Sequence, residues 1–139
     1  MSEIRTAIDA NLLIAAWSAK GSQYAQALRV LEAPNRRLIV SDALWLEVMP
    51  KAAFHRQHAE CRFYEAVFQQ AENRPWSPAI VERAKALAST YGLAAMDAIH
   101  LAVAVDAQAD EFISGEKPSK PMFRVEEVRT RSLWSLPEL

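Results

Sequence analysis

Short apolar runs alternate with longer segments of helical periodicity along this chain of 139 residues. The runs Arg5–Ile8, Arg37–Val40 and Glu111–Ser114 have the length and composition of buried strands. In the segments between them, apolar residues recur three and four positions apart, which is typical of the buried face of a helix. Strands that alternate with helices in this way predict an α/β fold, with a mainly parallel sheet and helices on both of its faces.

Capping residues and turn formers set the expected limits of the other elements. Ser41 is suited to cap a helix that runs through Val48 or a little further, where Pro50 is expected to disturb its end. The Ser-Pro pair at 77–78 predicts the start of another helix, which Gly92 ends. The remaining expected elements are helices over Asn11–Ala19, Ser22–Ala33, Cys61–Ala71 and Ala94–Ala109, and strands over Arg74–Trp76 and Phe123–Val128.

The length suits one domain, and we expect residues 1–139 to form it. The net charge of −1 gives no overall attraction to nucleic acid, although basic residues cluster locally, as at Lys117 and Lys120. The lone Cys61 cannot form an internal disulfide. The stretch MSEIRTAID does not resemble a signal peptide, and no uncharged run reaches the roughly 18 residues that span a bilayer. These features favour a cytoplasmic protein without a membrane segment.

Four acidic residues fall where this architecture brings separate parts of the chain to one place. Asp9 ends the first strand, and Glu116 follows the Glu111–Ser114 strand. Because parallel strands end at a common edge, both acids are expected beyond the carboxyl edge of the sheet. Asp97 lies in or near the first turn of a helix that starts at that edge. Glu47 lies almost two turns into its helix and reaches the edge only if that helix leans across it.

Three of these acids interrupt apolar runs, where an ionised carboxylate is costly unless a cation meets it. The four acids have no lysine or arginine among them. Carboxylate oxygens are preferred ligands of hard cations such as Mg²⁺ and Mn²⁺, so the group indicates a divalent metal site. Asn11 and Ser114 are candidate hydrogen-bonding partners of an acid or of a metal-bound water.

Each acid also has a structural interpretation. Asp9 could cap the helix that follows it, and Asp97 could be an acid that the helix dipole favours in a first turn. Glu47 could pair with Lys51 one helical turn away, and Glu116 could be an ordinary loop acid. We favour the metal role for all four acids, in the case of Glu47 mainly because of the resemblance described below.

Two other residue types have competing interpretations. His100 could act as a general base, but a packed and hydrogen-bonded histidine is the expected role for this position. Exposed tryptophans can stack on nucleic-acid bases, but we expect the four here to pack in the core or at an interface. They are Trp17, Trp45, Trp76 and Trp134.

The acidic residues stand in four segments that together resemble a PIN domain, in particular the toxin ribonucleases of VapBC-type toxin–antitoxin pairs. The segments are TAIDANLLIAAW, VSDALWLEV, GLAAMDAIHLAVAVDAQAD and EFISGEKP. The Asp-x-Asn after the first strand and the stretch MDAIHLA are the most telling. The resemblance extends from Thr6 to Lys117, and the four segments occur in the order and spacing of the family.

The resemblance implies that Asp9, Glu47 and Asp97 occupy the family's acidic metal-site positions. Glu116 stands where the family usually has aspartate, two residues after a threonine or serine that is Ser114 here. This departure affects the geometry with which a metal would be bound. The resemblance further implies a parallel sheet flanked by helices, Mg²⁺- or Mn²⁺-dependent cleavage of RNA, an antitoxin partner and a homodimer.

The leading hypothesis is therefore a metal-dependent endoribonuclease that acts as a toxin. An alternative, motivated by the unusual Glu116, is a non-catalytic PIN-like module that binds RNA or has a regulatory role. A third hypothesis is a phosphotransferase with Asp9 as the nucleophile, since Asp-x-Asn after a strand faintly resembles the haloacid dehalogenases. The rest of that pattern is missing from the sequence.

Overall fold

The computed structural model describes residues 3–136 and contains one sheet whose strand pairs are all parallel. The sheet order is β3-β2-β1-β4-β5, so β1 is central, with β2 and β4 on either side. This architecture confirms the predicted α/β fold. The strands are β1 (Ile4–Ile8), β2 (Arg36–Ser41), β3 (Glu72–Arg74), β4 (Glu111–Ser114) and β5 (Thr130–Ser132).

Six helices cover the two faces of the sheet. Ser41 and Ser77 cap helices through their hydroxyls, and Gly92 ends one in the left-handed conformation at φ 69°, all as the sequence predicts. Met1, Ser2 and residues 137–139 of the expected domain lie outside the described residues. The helices are α1 (Ala10–Ser18), α2 (Gln23–Glu32), α3 (Asp42–Phe54), α4 (His58–Gln70), α5 (Pro78–Tyr91) and α6 (Ala95–Asp106).

Alternate residues of the central strands contribute to two separate hydrophobic cores. Ile8 and Ile113 face the core beneath α1 to α4, which includes Leu12, Leu44 and Tyr64. Ala7 and Phe112 face the opposite core, where α5 and α6 pack. Because side chains of a strand alternate between faces, this pattern fixes the register of β1 against β4.

A buried acid ties the strands together near their amino ends. Glu111 is 4% exposed, and its carboxylate accepts hydrogen bonds from Thr6 Oγ1 (2.7 Å), Arg131 Nη1 (3.0 Å) and Arg36 Nε (3.1 Å). Burial alone raises the pKa of a carboxyl group, but these three donors outweigh it and hold the pKa of Glu111 below its ordinary value. Glu111 thus links β4 to β1, β2 and β5.

Two predicted elements differ from the structure near the ends of strands. The segment Phe123–Val128 is not a strand: its first two residues belong to a 3₁₀ turn at Pro121–Arg124, and the last strand is Thr130–Ser132. Its apolar residues are buried against the core of α5 and α6 without pairing to the sheet. The third strand is Glu72–Arg74 and ends before Trp76, because pairing with β2 covers only those residues.

The helix α3 also differs from its prediction. It continues past Pro50 to Phe54, since Val48, Met49 and Ala52 are buried on the face that packs against the sheet. Pro50 itself is exposed, so its ring is directed away from that core. The four tryptophans are not core residues either, with exposed fractions of 37 to 52%.

Within residues 3–136, no single helix has the length and apolar composition needed to cross a membrane. Only α5 and α6 meet those requirements together, and the chain bends by 118° between them.

Replacement of Glu111 by glutamine should destabilise the fold by about 3 kcal/mol, because it leaves two partly buried guanidinium groups without their anion. Since the folded-state pKa of Glu111 is depressed, its contribution is complete above the unfolded-state value of about 4.3 and is lost as the pH falls below it. Urea unfolding at a series of pH values should therefore show a weaker acid dependence for Glu111→Gln than for the unaltered chain.

Glu65→Gln is the matched control, because Glu65 is exposed on α4. It should change neither the stability at neutral pH nor the acid dependence. The same acid dependence in the unaltered chain and in Glu111→Gln would show that Glu111 does not contribute to stability through its charge.

Candidate functional site

Asp9 lies at the end of β1 and is only 4% exposed. Its Oδ1 accepts the amide hydrogens of Leu12 (3.0 Å) and Gly115 (3.2 Å), and its Oδ2 accepts the hydroxyl of Ser114 (2.5 Å). Burial raises the pKa of Asp9, and these hydrogen bonds and the nearby His100 oppose that rise. Asp9 therefore caps α1, as its structural interpretation proposed, and also joins β1 to β4.

The loop after β4 is pressed against the start of α1. A Cβ atom on Gly115 would lie 2.8 Å from the carbonyl carbon of Asn11 and 2.9 Å from its Cβ, so only glycine fits without a shift. Asn11 Nδ2 donates a hydrogen bond to Glu116 Oε1 at 2.6 Å. The hydroxyl of Ser114 accepts the amide of Glu116 at 2.9 Å. These contacts place Glu116 next to the end of β1, as the sequence predicts.

Asp97 lies in the first turn of α6 and is partly buried. Burial raises its pKa, and the carboxylates of Glu116 and Glu47 raise it further, whereas His100 and Lys120 act in the opposite direction. Two of the other three predicted acids therefore change the pKa of Asp97 through their charges.

Glu47 reaches the same region from α3 through a contact that the sequence does not predict. The ring of His100 donates from Nε2 to Glu47 Oε1, since an ionised carboxylate can only accept. His100 is 5% exposed, so it is packed and hydrogen-bonded, in agreement with its expected role. The alternative pairing of Glu47 with Lys51 is not among the ion pairs of the described residues.

The structure thus brings Glu116 and Glu47 close enough to Asp97 to act on its charge, while Asp9 lies at the end of β1 beside the loop that carries Glu116. As they stand, however, no three His, Cys, Asp or Glu side chains in residues 3–136 are grouped closely enough to hold a metal ion. Both carboxylate oxygens of Asp9 already accept hydrogen bonds from its three donors, and one oxygen of Glu47 is hydrogen-bonded to His100. The roles of the acids as metal ligands and catalytic groups stay predictions.

A divalent cation nevertheless fits the chemistry of this donor set. Asp97 and Glu116 could supply oxygen ligands. Burial raises the pKa of Asp97, and the carboxylates of Glu116 and Glu47 raise it further, so a bound cation would stabilise the ionised form. No arginine or lysine in the described part of the chain forms a salt bridge with Asp9, Asp97 or Glu116. Asp97, Glu116 and Glu47 would hold the ion, and Asp9 would fix the loop that carries Glu116.

Sequence reasoning missed one neighbour of the site, the segment around Trp134. Its indole Nε1 donates a hydrogen bond to the carbonyl oxygen of Gly115 at 3.0 Å, and the ammonium of Lys117 lies 5.4 Å from the ring centroid. The basic cluster at Lys117 and Lys120 was visible in the sequence, but its position beside this ring depends on the pairing of β5 with β4.

The chain belongs to the PIN domain family, whose model matches residues 6–117. This range coincides with the segments in which the four acids stand. No match was found among curated proteins.

Solved structures of toxin–antitoxin systems share the fold. A toxin–antitoxin complex from Klebsiella pneumoniae is similar at 28% identity and a TM-score of 0.64, with 89% of this chain and 98% of that chain covered. VapBC2 from Rickettsia felis, bound to a promoter DNA fragment, is similar at 12% identity and a TM-score of 0.72, with 93% of this chain and 98% of that chain covered. VapC20 from Mycobacterium tuberculosis, a Sarcin-Ricin loop cleaving toxin, is similar at 14% identity and a TM-score of 0.67, with 89% of this chain and 98% of that chain covered. At 12 and 14% identity, the last two show a common fold alone.

Gly115→Ala should destabilise the protein by about 1–3 kcal/mol, because its methyl group meets the backbone of Asn11. In amide NMR spectra we expect the changes to concentrate at residues 9–12 and 114–116. Urea unfolding measures the loss of stability.

Gly92→Ala provides the matched control. Its added methyl group meets nothing within 4 Å, but φ is 69°, so backbone strain should cost about 1–2 kcal/mol. Its amide changes should stay near the end of α5. Unchanged signals at residues 9–12 in Gly115→Ala would contradict the close contact between the loop and α1.

Proposed function

We propose that this protein is a metal-dependent endoribonuclease and the VapC-type toxin of a type II toxin–antitoxin pair. The observation that carries the proposal is the proximity of Glu116 and Glu47 to Asp97 at the carboxyl edge of a PIN fold. Burial raises the pKa of Asp97, and the charges of these two carboxylates raise it further. Ligand sites of parallel α/β sheets lie beyond this edge. Carboxylates without paired cations are suited to Mg²⁺ or Mn²⁺.

The protein groups have distinct tasks in this proposal. Asp9 fixes the end of β1 against Ser114 and Gly115, and Asn11 orients the Glu116 carboxylate. His100 orients the carboxylate of Glu47 from inside α6. Lys117 and Lys120 are exposed beside these acids and give RNA phosphates an attractive surface next to an otherwise repulsive site. A bound divalent ion would activate water and stabilise the charge of the transition state.

The proposed partner is a cognate antitoxin. The Klebsiella structure is described as a toxin–antitoxin complex and is 28% identical to this chain. An apolar groove of about 550 Å³ lies beside Glu47 and is lined by Leu46, Trp76, Met96 and Ile99, among others. An antitoxin segment in this groove would cover the site. The homodimer expected from the family and a cytoplasmic location are parts of the same proposal.

The aspartyl-phosphotransferase hypothesis is disfavoured by the surroundings of Asp9. Both of its oxygens accept hydrogen bonds, and the side chain is almost inaccessible. A nucleophilic carboxylate needs a free oxygen that can reach its substrate.

Purified protein should cleave a mixed pool of single-stranded RNA with Mg²⁺ or Mn²⁺, and EDTA should abolish cleavage. Asp97→Asn should reduce the cleavage rate by at least about 100-fold, because it removes a charge that the metal and the transition state require. Gel analysis of the RNA products measures the rate.

Asp106→Asn is the matched control, since Asp106 lies at the opposite end of α6 and pairs with Arg74 at 3.2 Å. It should cleave at the unaltered rate. Cleavage that persists both in EDTA and in Asp97→Asn would mean that these carboxylates are not the site of the reaction.

A non-catalytic PIN-like RNA-binding or regulatory module is the second candidate. It is favoured by the present arrangement of the acids, which in residues 3–136 leaves no three of them grouped for a metal. The nuclease proposal expects saturable Mn²⁺ binding in calorimetric titration, weakened at least about tenfold in Asp97→Asn because one charged ligand is lost. Asp106→Asn should bind as the unaltered chain does. Folded protein without saturable binding would favour the non-catalytic module.

A further inference from the structure

An exposed indole ring is fixed beside the candidate active site. Trp134 lies in the 3₁₀ turn Leu133–Ser135 that follows β5, and 48% of its surface is exposed. Its Nε1 donates to the carbonyl oxygen of Gly115, the residue before Glu116. The edge of the ring is thus attached to the loop of the site, while much of the ring surface is accessible.

A second set of contacts holds the same turn in place. The hydroxyl of Ser132 donates to the carbonyl oxygen of Glu116 at 2.5 Å and accepts the backbone amide of Trp134 at 3.1 Å. The turn is therefore hydrogen-bonded to both residues of the loop 115–116. A ring that is ordered before binding loses little conformational entropy when a ligand covers it.

Positive charge accompanies this ring. The ammonium of Lys117 lies over one face of the ring, 5.4 Å from its centroid, and Lys120 is exposed close to Asp97. Two of the other three tryptophans have different surroundings: Trp17 contacts Phe63 at 5.8 Å between centroids, and Trp76 lines the apolar groove. A partly exposed aromatic ring with lysines next to it is a combination that many proteins use to bind single-stranded nucleic acids.

We propose that Trp134 stacks on an unpaired RNA base beside the scissile phosphate, with Lys117 and Lys120 contacting the neighbouring phosphates. This inference rests on the proposed nuclease function and deepens it, because it assigns a nucleotide-binding subsite to a residue beyond the family-matched segment 6–117. Unpaired RNA bases are commonly recognised by stacking on aromatic side chains. The carboxylates repel the RNA backbone, so attraction has to come from the rim of the site.

The test measures RNA binding separately from cleavage. Fluorescence anisotropy follows a labelled oligoadenylate of about ten nucleotides, a length within the range that single-strand sites cover. All proteins carry Asp97→Asn to prevent cutting. Trp134→Leu should weaken binding about tenfold, as expected for the loss of one stacked base. Trp17→Leu is the control at a comparably exposed tryptophan near the far end of α1, and should bind like its parent.

Trp134→Tyr separates stacking from loop structure. Tyrosine and leucine both lack the indole N–H that meets Gly115, but only tyrosine keeps an aromatic face. We expect Trp134→Tyr to bind within about threefold of the parent, since base stacking tolerates different aromatic rings. Thermal unfolding establishes that the variants are folded. Lys117→Ala should reduce the slope of the logarithm of the binding constant against the logarithm of the salt concentration by roughly 1, the amount expected for the loss of one phosphate contact.

A base can also be removed from the RNA. One abasic position should weaken binding by the parent about tenfold, yet add little to the defect of Trp134→Leu, because both changes remove the same contact. Additive effects at every position would overturn the inference. Equal losses of RNA affinity in Trp134→Leu and Trp134→Tyr would also overturn it, because both variants lose the hydrogen bond to Gly115 and the loss would then come from the loop rather than from stacking.

The remaining outcomes distinguish the inference from the function on which it rests. Unchanged RNA binding in Trp134→Leu overturns stacking and points to a protein partner for this ring. Tryptophan-dependent binding by an unaltered chain that does not cleave RNA with Mn²⁺ supports stacking and contradicts the nuclease. A parent protein that binds no oligoadenylate overturns the inference.

Discussion

The carboxylate of Asp9 is the contact from which the geometry of the whole carboxyl edge follows. It ends β1, caps α1 through Leu12, and accepts hydrogen bonds from Ser114 and Gly115 at the end of β4. The loop that carries Glu116 is positioned by these bonds. A change at Asp9 therefore alters architecture and chemistry together, and cannot by itself assign a catalytic role. Residues 3–136 show no comparable set of hydrogen bonds around Asp97, so its variants report more directly on chemistry.

Acids at the two edges of the sheet have neighbours of opposite charge: arginines at the amino edge and other carboxylates at the carboxyl edge. At the amino edge, Glu111 meets Arg36 and Arg131, and Glu72 meets Arg5 at 2.7 Å. These pairs neutralise charge where no ligand is expected. At the carboxyl edge, burial raises the pKa of Asp97, and its neighbours Glu116 and Glu47 raise it further. This difference in charge balance between the two edges agrees with the proposal that a cation binds at the carboxyl edge.

Local patterns in the sequence were sufficient for most of the fold and for part of the site. Periodicity and caps predict the sheet class, and the ends of strands place Asp9 and Glu116. The contact between Glu47 and His100 joins residues 53 positions apart and leaves no local signal. Phe123–Val128 is apolar because it is buried, and burial alone does not distinguish a strand from an irregular segment. Thr130–Ser132 has no apolar pattern and becomes a strand only through pairing with β4.

The position of Trp134 outside the family-matched segment has an evolutionary consequence. The groups proposed for the chemistry lie within residues 6–117, whereas the ring proposed to hold the base follows β5. Substitutions after β5 would change which RNA is retained without altering the residues proposed to cut it. On this proposal, chains of this fold can diverge in target while keeping one reaction, because the ring proposed to bind the base and the residues proposed to cleave the RNA lie in different stretches of the polypeptide.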